Sequence, residues 1–243
     1  MYSISDIKVE LLNPEEVKNF IRNHGIFACQ CYMSSEKYAE RVGLSCLREG
    51  HTSGSRADMF KFRIYCPRYC ADQIMRHSVG TAINCQSQRY VDMDDNFSIY
   101  VPPQVKKDPI VELLYKQYEG LCKDQYQQIR EYMTQQGITG EQANDLMRTM
   151  LPIGVPCNLT MGFTVEALIH FCHKRLCKRA DAPIQQVAKL MRDAVIAVEP
   201  RYEEFLVPQC QALLYCPEKH GCKNALSKRA LKRAISEFKE NHE

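Results

Sequence analysis

Tryptophan is absent from this sequence, and so is any apolar run near the roughly 18 residues a membrane-crossing helix needs. The first absence excludes no fold. The second leaves no segment able to span a bilayer as a helix. The N-terminal MYSISDIKVELL lacks the basic stretch and apolar centre of a secretory signal, so export is not expected. A strong charge of either sign is missing as well. The chain has 32 Lys and Arg against 29 Asp and Glu, a formal net charge of +3, which gives no ground for a nucleic-acid partner. There is no internal repeat and no low-complexity tract.

Cysteine, by contrast, is plentiful: 13 in 243 residues. The count is odd, no export signal accompanies it, and Cys29, Cys46, Cys66, Cys122 and Cys172 fall inside apolar patterns. The reading is reduced thiols in a cytoplasmic compartment, serving as small buried hydrophobes. Cys210, Cys216, His220 and Cys222 form no Cys-x-x-Cys knuckle, so no metal site is expected of them.

The periodicity predicts mixed strands and long helices. Ile7 to Leu12 reads as a strand, followed by a helix from Pro14 that Gly25 should end. A second helix begins after Ser34 or Ser35 and stops at Gly50. Phe60 to Tyr65 alternates as a half-buried strand, and Pro67 starts a helix reaching about His77. Two short strands are expected at Arg89 to Met93 and Phe97 to Val101. Asp108 and Pro109 open a long helix to about Gln136, with Ile110, Leu113, Leu114, Leu121, Ile129 and Met133 as its apolar stripe. Then come a helix from Glu141 to Met150, a strand from Cys157 to Phe163, and helices at Val165 to Cys177 and Pro183 to Val198. A basic helix runs from about Ser227 to Lys239. No regular βαβ alternation appears, so the fold class is α+β, a mixed or antiparallel central sheet flanked by long helices. The expected division is a main domain over 1–207 and a cysteine-containing loop with the basic helix over 208–243.

The most informative stretch is Arg76-His77-Ser78-Val79-Gly80-Thr81-Ala82-Ile83-Asn84-Cys85-Gln86-Ser87-Gln88-Arg89-Tyr90. Guanidinium forks suit a phosphate or a pyrimidine edge, and Ser and Asn add directional hydrogen bonds. On spacing alone the stretch reads rather as a polar surface loop with Arg89 in an ion pair.

The stretch resembles the signature of the flavin-dependent thymidylate synthases, Arg-His-Arg-x-x-Ser-x-Asn-Glu-x-Ser-x-Arg-Tyr. Arg76-His77 and Asn84-x-x-Ser87-x-Arg89-Tyr90 match it; Ser78 and Cys85 depart, and one residue is added between the halves. Other blocks follow in order: His51-Thr52-Ser53, Gln73, Arg148 before Leu151-Pro152, Leu168-x-His170-Phe171-x-x-x-Arg175, and Pro208-x-Cys210 with Cys216-Pro217-Glu218. Ala57 stands where a second histidine is usual, and Thr164 and Glu166 replace Asn and Arg.

The resemblance implies a thymidylate synthase-complementing type of fold and a homotetramer with shared active sites. It implies reductive methylation of deoxyuridylate (dUMP) to thymidylate, with methylenetetrahydrofolate supplying carbon, FAD supplying hydride and NADPH reducing the FAD. Gln73, Arg76, Ser87, Arg89, Arg148 and Arg175 match dUMP-binding positions. Ser87 would hydrogen-bond the nucleotide, and Arg175 would stabilise negative charge on the uracil. Arg76, His77, Asn84 and His170 match positions near the flavin. The departures leave two alternatives: a relative modifying another pyrimidine nucleotide or transferring a hydroxymethyl group, and a nucleotide-binding relative without flavin chemistry.

Overall fold

The computed structural model describes residues 7–94, 97–222 and 225–240. The first six residues, part of the N-terminal stretch read above for an export signal, lie outside these. In chain order the elements are β1 (Lys8–Leu11), α1 (Pro14–Val17), α2 (Phe20–Cys31), α3 (Ala39–Arg48), β2 (Met59–Pro67), α4 (Arg68–Met75), β3 (Thr81–Cys85), α5 (Pro109–Gln135), α6 (Gly140–Met147), β4 (Pro156–Thr164), α7 (Val165–Arg175), α8 (Ala182–Val198), α9 (Gln209–Ala212) and α10 (Lys228–Glu240). The four strands form one sheet in the order β1-β2-β4-β3.

The sheet is antiparallel, as flanking bonds show. At one end of the β3/β4 pair the Thr164 N–H donates to the Gly80 carbonyl at 2.8 Å; at the other the Gln86 N–H donates to the Asn158 carbonyl at 2.8 Å. One strand's numbers rise as the other's fall. Beyond β1, buried Asn13 acts as an extra ladder residue. Its side chain donates to the Met59 carbonyl at 3.0 Å and accepts from the Lys61 N–H at 2.9 Å. Helices flank the sheet, so the expected α+β class holds.

Two compact units can be distinguished. The first comprises 1–10, 63–78 and 83–161; the second comprises 11–62, 79–82 and 162–243. The first has a core of Met93, Phe97, Ile99, Tyr126, Met147 and Val155, extended by Cys122, Ile129, Met133 and Leu151. The second is centred on aromatic rings. Phe20 and Tyr202 meet Phe60 edge-on at 5.1 and 5.2 Å between centroids, while Phe163 contacts Phe62 and Phe171. Such contacts add about 0.5–1.5 kcal/mol each beyond area burial.

Three expectations need correction. Gly25 does not end a helix. The first helix breaks at Lys18–Asn19, and Gly25 lies inside α2 where that helix crosses α3. A β-carbon at Gly25 would overlap the Ala39 carbonyl oxygen, and one at Gly43 would overlap the Ile21 carbonyl oxygen. The glycines therefore serve close backbone approach, not chain reversal. Gly50 and Gly137 do act as stops, with φ of +76° and +79° just past α3 and α5. Second, neither Arg89 to Met93 nor Phe97 to Val101 is a strand. The edge strand is β3 at Thr81–Cys85, where adjacent Ala82 and Ile83 break any polar–apolar alternation and most side chains are exposed. Third, the long helix does begin at Asp108, whose carboxylate accepts the Ile110 and Val111 N–H groups at 3.0 and 3.3 Å. Its apolar stripe is only partly a core stripe. Ile129 and Met133 pack on the first unit's core, whereas Ile110 and Leu121 are 72% and 65% exposed and Leu113, Leu114 and Tyr118 are also exposed.

His24, one residue before Gly25, is 2% exposed. Burial is the main cause holding its imidazole below the ordinary range, with backbone contacts at His51 and Gly54 opposing. The depressed folded value means that the unfolded chain binds the proton more readily. The contribution of His24 to stability is therefore full above the unfolded value of about 6.5 and is lost as pH falls. Urea unfolding midpoints should drop between pH 7 and 5.5, and His24→Gln should flatten that slope. An unchanged slope in the variant would remove His24 as its source.

Candidate functional site

Of the expected site residues, Gln73, Arg76, His77, Asn84, Ser87, Arg89 and Arg148 belong to the first unit, and His170 and Arg175 to the second. Pro67 precedes α4 in extended conformation, which lets the helix start cleanly. Gln73 and Arg76 then fall three residues apart on its last turn and so share a face. Arg76 is exposed, and no hydrogen bond or ion pair engages its side chain among the described residues. A cation at a helix C-terminus is favoured by the helix dipole. His77 follows, its N–H bonded to the Ile74 carbonyl at 3.0 Å.

Beyond β3 the chain turns at Ser87, whose hydroxyl accepts the Arg89 N–H at 3.2 Å. The turn aims Arg89 at α6. Its guanidinium lies 3.3 Å from the Asp145 carboxylate and 3.5 Å from that of Glu141. Arg148 reaches the other oxygen of Asp145, also at 3.3 Å. Two arginines 59 positions apart thus meet on one carboxylate. All three side chains are roughly half exposed or a little less, so solvent screens the pairs.

A partly buried polar network centred on buried Asn144 fixes this arrangement. Asn144 donates to the Arg89 carbonyl at 2.9 Å and accepts from Arg130 at 2.9 Å. Arg130 is held in turn by Asp92 and Asp94 at 3.0 and 2.7 Å. Sequence reading missed Asp145, Glu141, Asn144 and Arg130. Asp145 was findable: it sits three residues before Arg148 and four after Glu141, so all three share one helical face. Nothing local marks Arg130.

The departures from the signature have structural partners. Thr164 caps α7, its hydroxyl accepting the Ala167 N–H at 3.2 Å. Glu166 lies in the first turn of α7, where the dipole favours an anion, and pairs with Arg56 at 2.7 Å. The hydrogen bond from Arg56 holds the Glu166 carboxyl below the usual carboxylate range. Arg56 precedes Ala57, the place of the missing histidine. Cys85 contacts Cys157 and Arg68, while Ser78 is exposed.

The pattern of the Thymidylate synthase complementing protein family matches residues 19–201. The flavin-dependent thymidylate synthase of Nitratidesulfovibrio vulgaris is 30% identical over 190 residues, covering 76% of this chain and 77% of the relative. This chain belongs to the flavin-dependent thymidylate synthase family. Within that family it is a divergent member. The enzyme of the same name from Pyrococcus horikoshii is 33% identical over 190 residues, covering 72% of this chain and 74% of its own. Among solved structures, a UMP/dUMP methylase, PolB, from Streptomyces cacaoi, crystallised with 5-Br dUMP, superposes with a TM-score of 0.63 at 17% identity, covering 82% of this chain and 93% of that one. That likeness shows the fold of the flavin-dependent thymidylate synthase family. No helix among the described residues is long and apolar enough to cross a membrane.

Proposed function

We propose that this protein converts dUMP to thymidylate by reductive methylation, with methylenetetrahydrofolate as carbon donor and NADPH as the source of reducing equivalents. The observation that carries the reading is the meeting of Arg89 and Arg148 on Asp145. A phosphate dianion carries twice the charge of that carboxylate and offers more oxygens to the two guanidinium forks, and would exchange with it. Ser87, at the turn before Arg89, would donate its hydroxyl to the nucleotide. Gln73 supplies a directional amide from α4. Arg175, near the C-terminal end of α7, would stabilise negative charge that develops on the uracil ring.

FAD would be held through another set of donors than the full signature. Arg56 is neutralised by Glu166, so the charge for a diphosphate would fall to Arg76, which is exposed and has no side-chain partner among the described residues, with Asn84 and His77 as directional partners; His170 is carried over from the resemblance alone. When bound, the flavin supplies the hydride chemistry, and the chain's own residues bind and orient. The exposed face of α5, with Ile110, Leu113, Leu114 and Leu121, supports assembly into a homotetramer, since monomers seldom leave such a stripe open. We place the enzyme in the cytoplasm, where thirteen unpaired cysteines would stay reduced. The main domain spans 1–207, with 208–243 as an appended tail.

A second reading, favoured by the Arg56–Glu166 pair and by Ser78 and Cys85, is a relative acting on another pyrimidine nucleotide or adding a hydroxymethyl group. Incubation with C5-tritiated dUMP, methylenetetrahydrofolate, NADPH and FAD decides between them. Tritium release with thymidylate formed supports the first reading. Hydroxymethyl product, or release only from another tritiated pyrimidine nucleotide, supports the second. No release from any of them, with no flavin colour in the purified protein, refutes both.

A further inference from the structure

Among the thirteen free thiols, Cys85 and Cys157 form a close pair. Cys85 ends β3 and Cys157 lies on the neighbouring β4. Their sulfurs are 3.4 Å apart, closer than a carbon–carbon packing contact. The strands are pinned beside them. Gln86 accepts both the backbone N–H and the side-chain amide of Asn158, at 3.0 and 2.9 Å.

The two thiols are not equivalent. Cys157 is buried, and burial together with the Cys85 sulfur pushes its thiol up. Cys85 is half-buried and faces the Arg68 guanidinium, whose Nη1 lies 3.5 Å from its sulfur. Arg68 also pairs with Asp72 at 3.0 Å, which fixes the guanidinium without removing its charge. One sulfur is thus accessible and beside a cation, and the second is held behind it. A nucleophilic and a resolving cysteine need this arrangement. Cys66 and Cys70 lack it, because both are fully buried.

We propose that Cys85 and Cys157 form a thiol–disulfide exchange site for low-molecular-weight disulfides. The Cys85 thiolate attacks one sulfur of the small disulfide. That S–S bond breaks, one small thiolate leaves, and a mixed disulfide forms on Cys85. Cys157 then gives up its proton and attacks the Cys85 sulfur, expelling the second small thiolate. The two protons from the cysteines end on the departing thiolates, so two protein thiols are oxidised and one small disulfide is reduced to two thiols. This goes beyond the nucleotide chemistry and does not depend on it.

The test uses the full native chain and glutathione disulfide, followed by alkylation and non-reducing peptide mass spectrometry. The peptide bearing Cys85 should be joined to that bearing Cys157, and dithiothreitol should separate them. Cys157→Ser should stop at glutathione on Cys85, and Cys85→Ser should leave Cys157 free to alkylate after denaturation. The proposal fails if exposed Cys31 takes glutathione while Cys85 and Cys157 both remain thiols. Should either variant not fold, the wild-type cross-link alone decides.

Discussion

Arg89→Ala is expected to weaken dUMP binding about 100-fold and to leave the fold intact. Hydrogen bonds to a charged group are worth about 1.5–3 kcal/mol, and each 1.4 kcal/mol is tenfold in affinity. Loss of a two-pronged phosphate contact therefore removes about two decades. The backbone should survive, because the Arg89 carbonyl still accepts from Asn144 and the lost ion pairs are solvent-screened. Arg148→Ala should act in the same direction. Asp145→Asn should do the opposite, because it takes away the anion that competes with phosphate for both arginines. Titration calorimetry with dUMP, with circular dichroism as the control for folding, measures all three. Wild-type affinity in both alanine variants would sink the assignment of this arginine pair to the phosphate.

Gly25→Ala should be among the most destabilising single substitutions in the chain, at about 3 kcal/mol or more. The new methyl group meets the Ala39 carbonyl carbon and oxygen and the Gly43 amide, all backbone atoms that cannot rotate away. Alanine is the better helix former by roughly 1 kcal/mol, so propensity alone predicts the opposite sign. The overlap is large enough to part α2 from α3. Urea or thermal unfolding of the variant settles which term wins. Gly120→Ala is the fitting control, since a β-carbon there meets nothing and α5 should gain slightly.

How far the fold could be read beforehand varied with how local its causes are. Asp108 with Pro109, Gly50 and the alternation of Phe60, Phe62 and Ile64 each carry their own explanation in neighbouring residues, and each stands where expected. Gly25 misled because its reason lies in α3, which no window around it contains. β3 was hidden because Thr81 to Cys85 does not alternate and most of its side chains are exposed. Two of the site arginines, Arg89 and Arg148, could be named from ordered motifs, but their convergence could not, since it depends on Asp145 and on Asn144 tied to Arg130 across 14 residues. Glu166 looked like a charge reversal in isolation. With Arg56 beside it, the charge is balanced within the chain.

In the proposed phosphate site, the carboxylate between Arg89 and Arg148 would also bear on selectivity among anions. Two free guanidinium groups side by side would be a standing trap for inorganic phosphate and sulfate. With Asp145 already seated between them, a bare oxyanion must evict an attached rival that is always at high local concentration. Only a molecule that gains elsewhere at the same time, through a sugar and a ring, displaces it with advantage. The built-in rival thus acts as a threshold against fragments of the ligand.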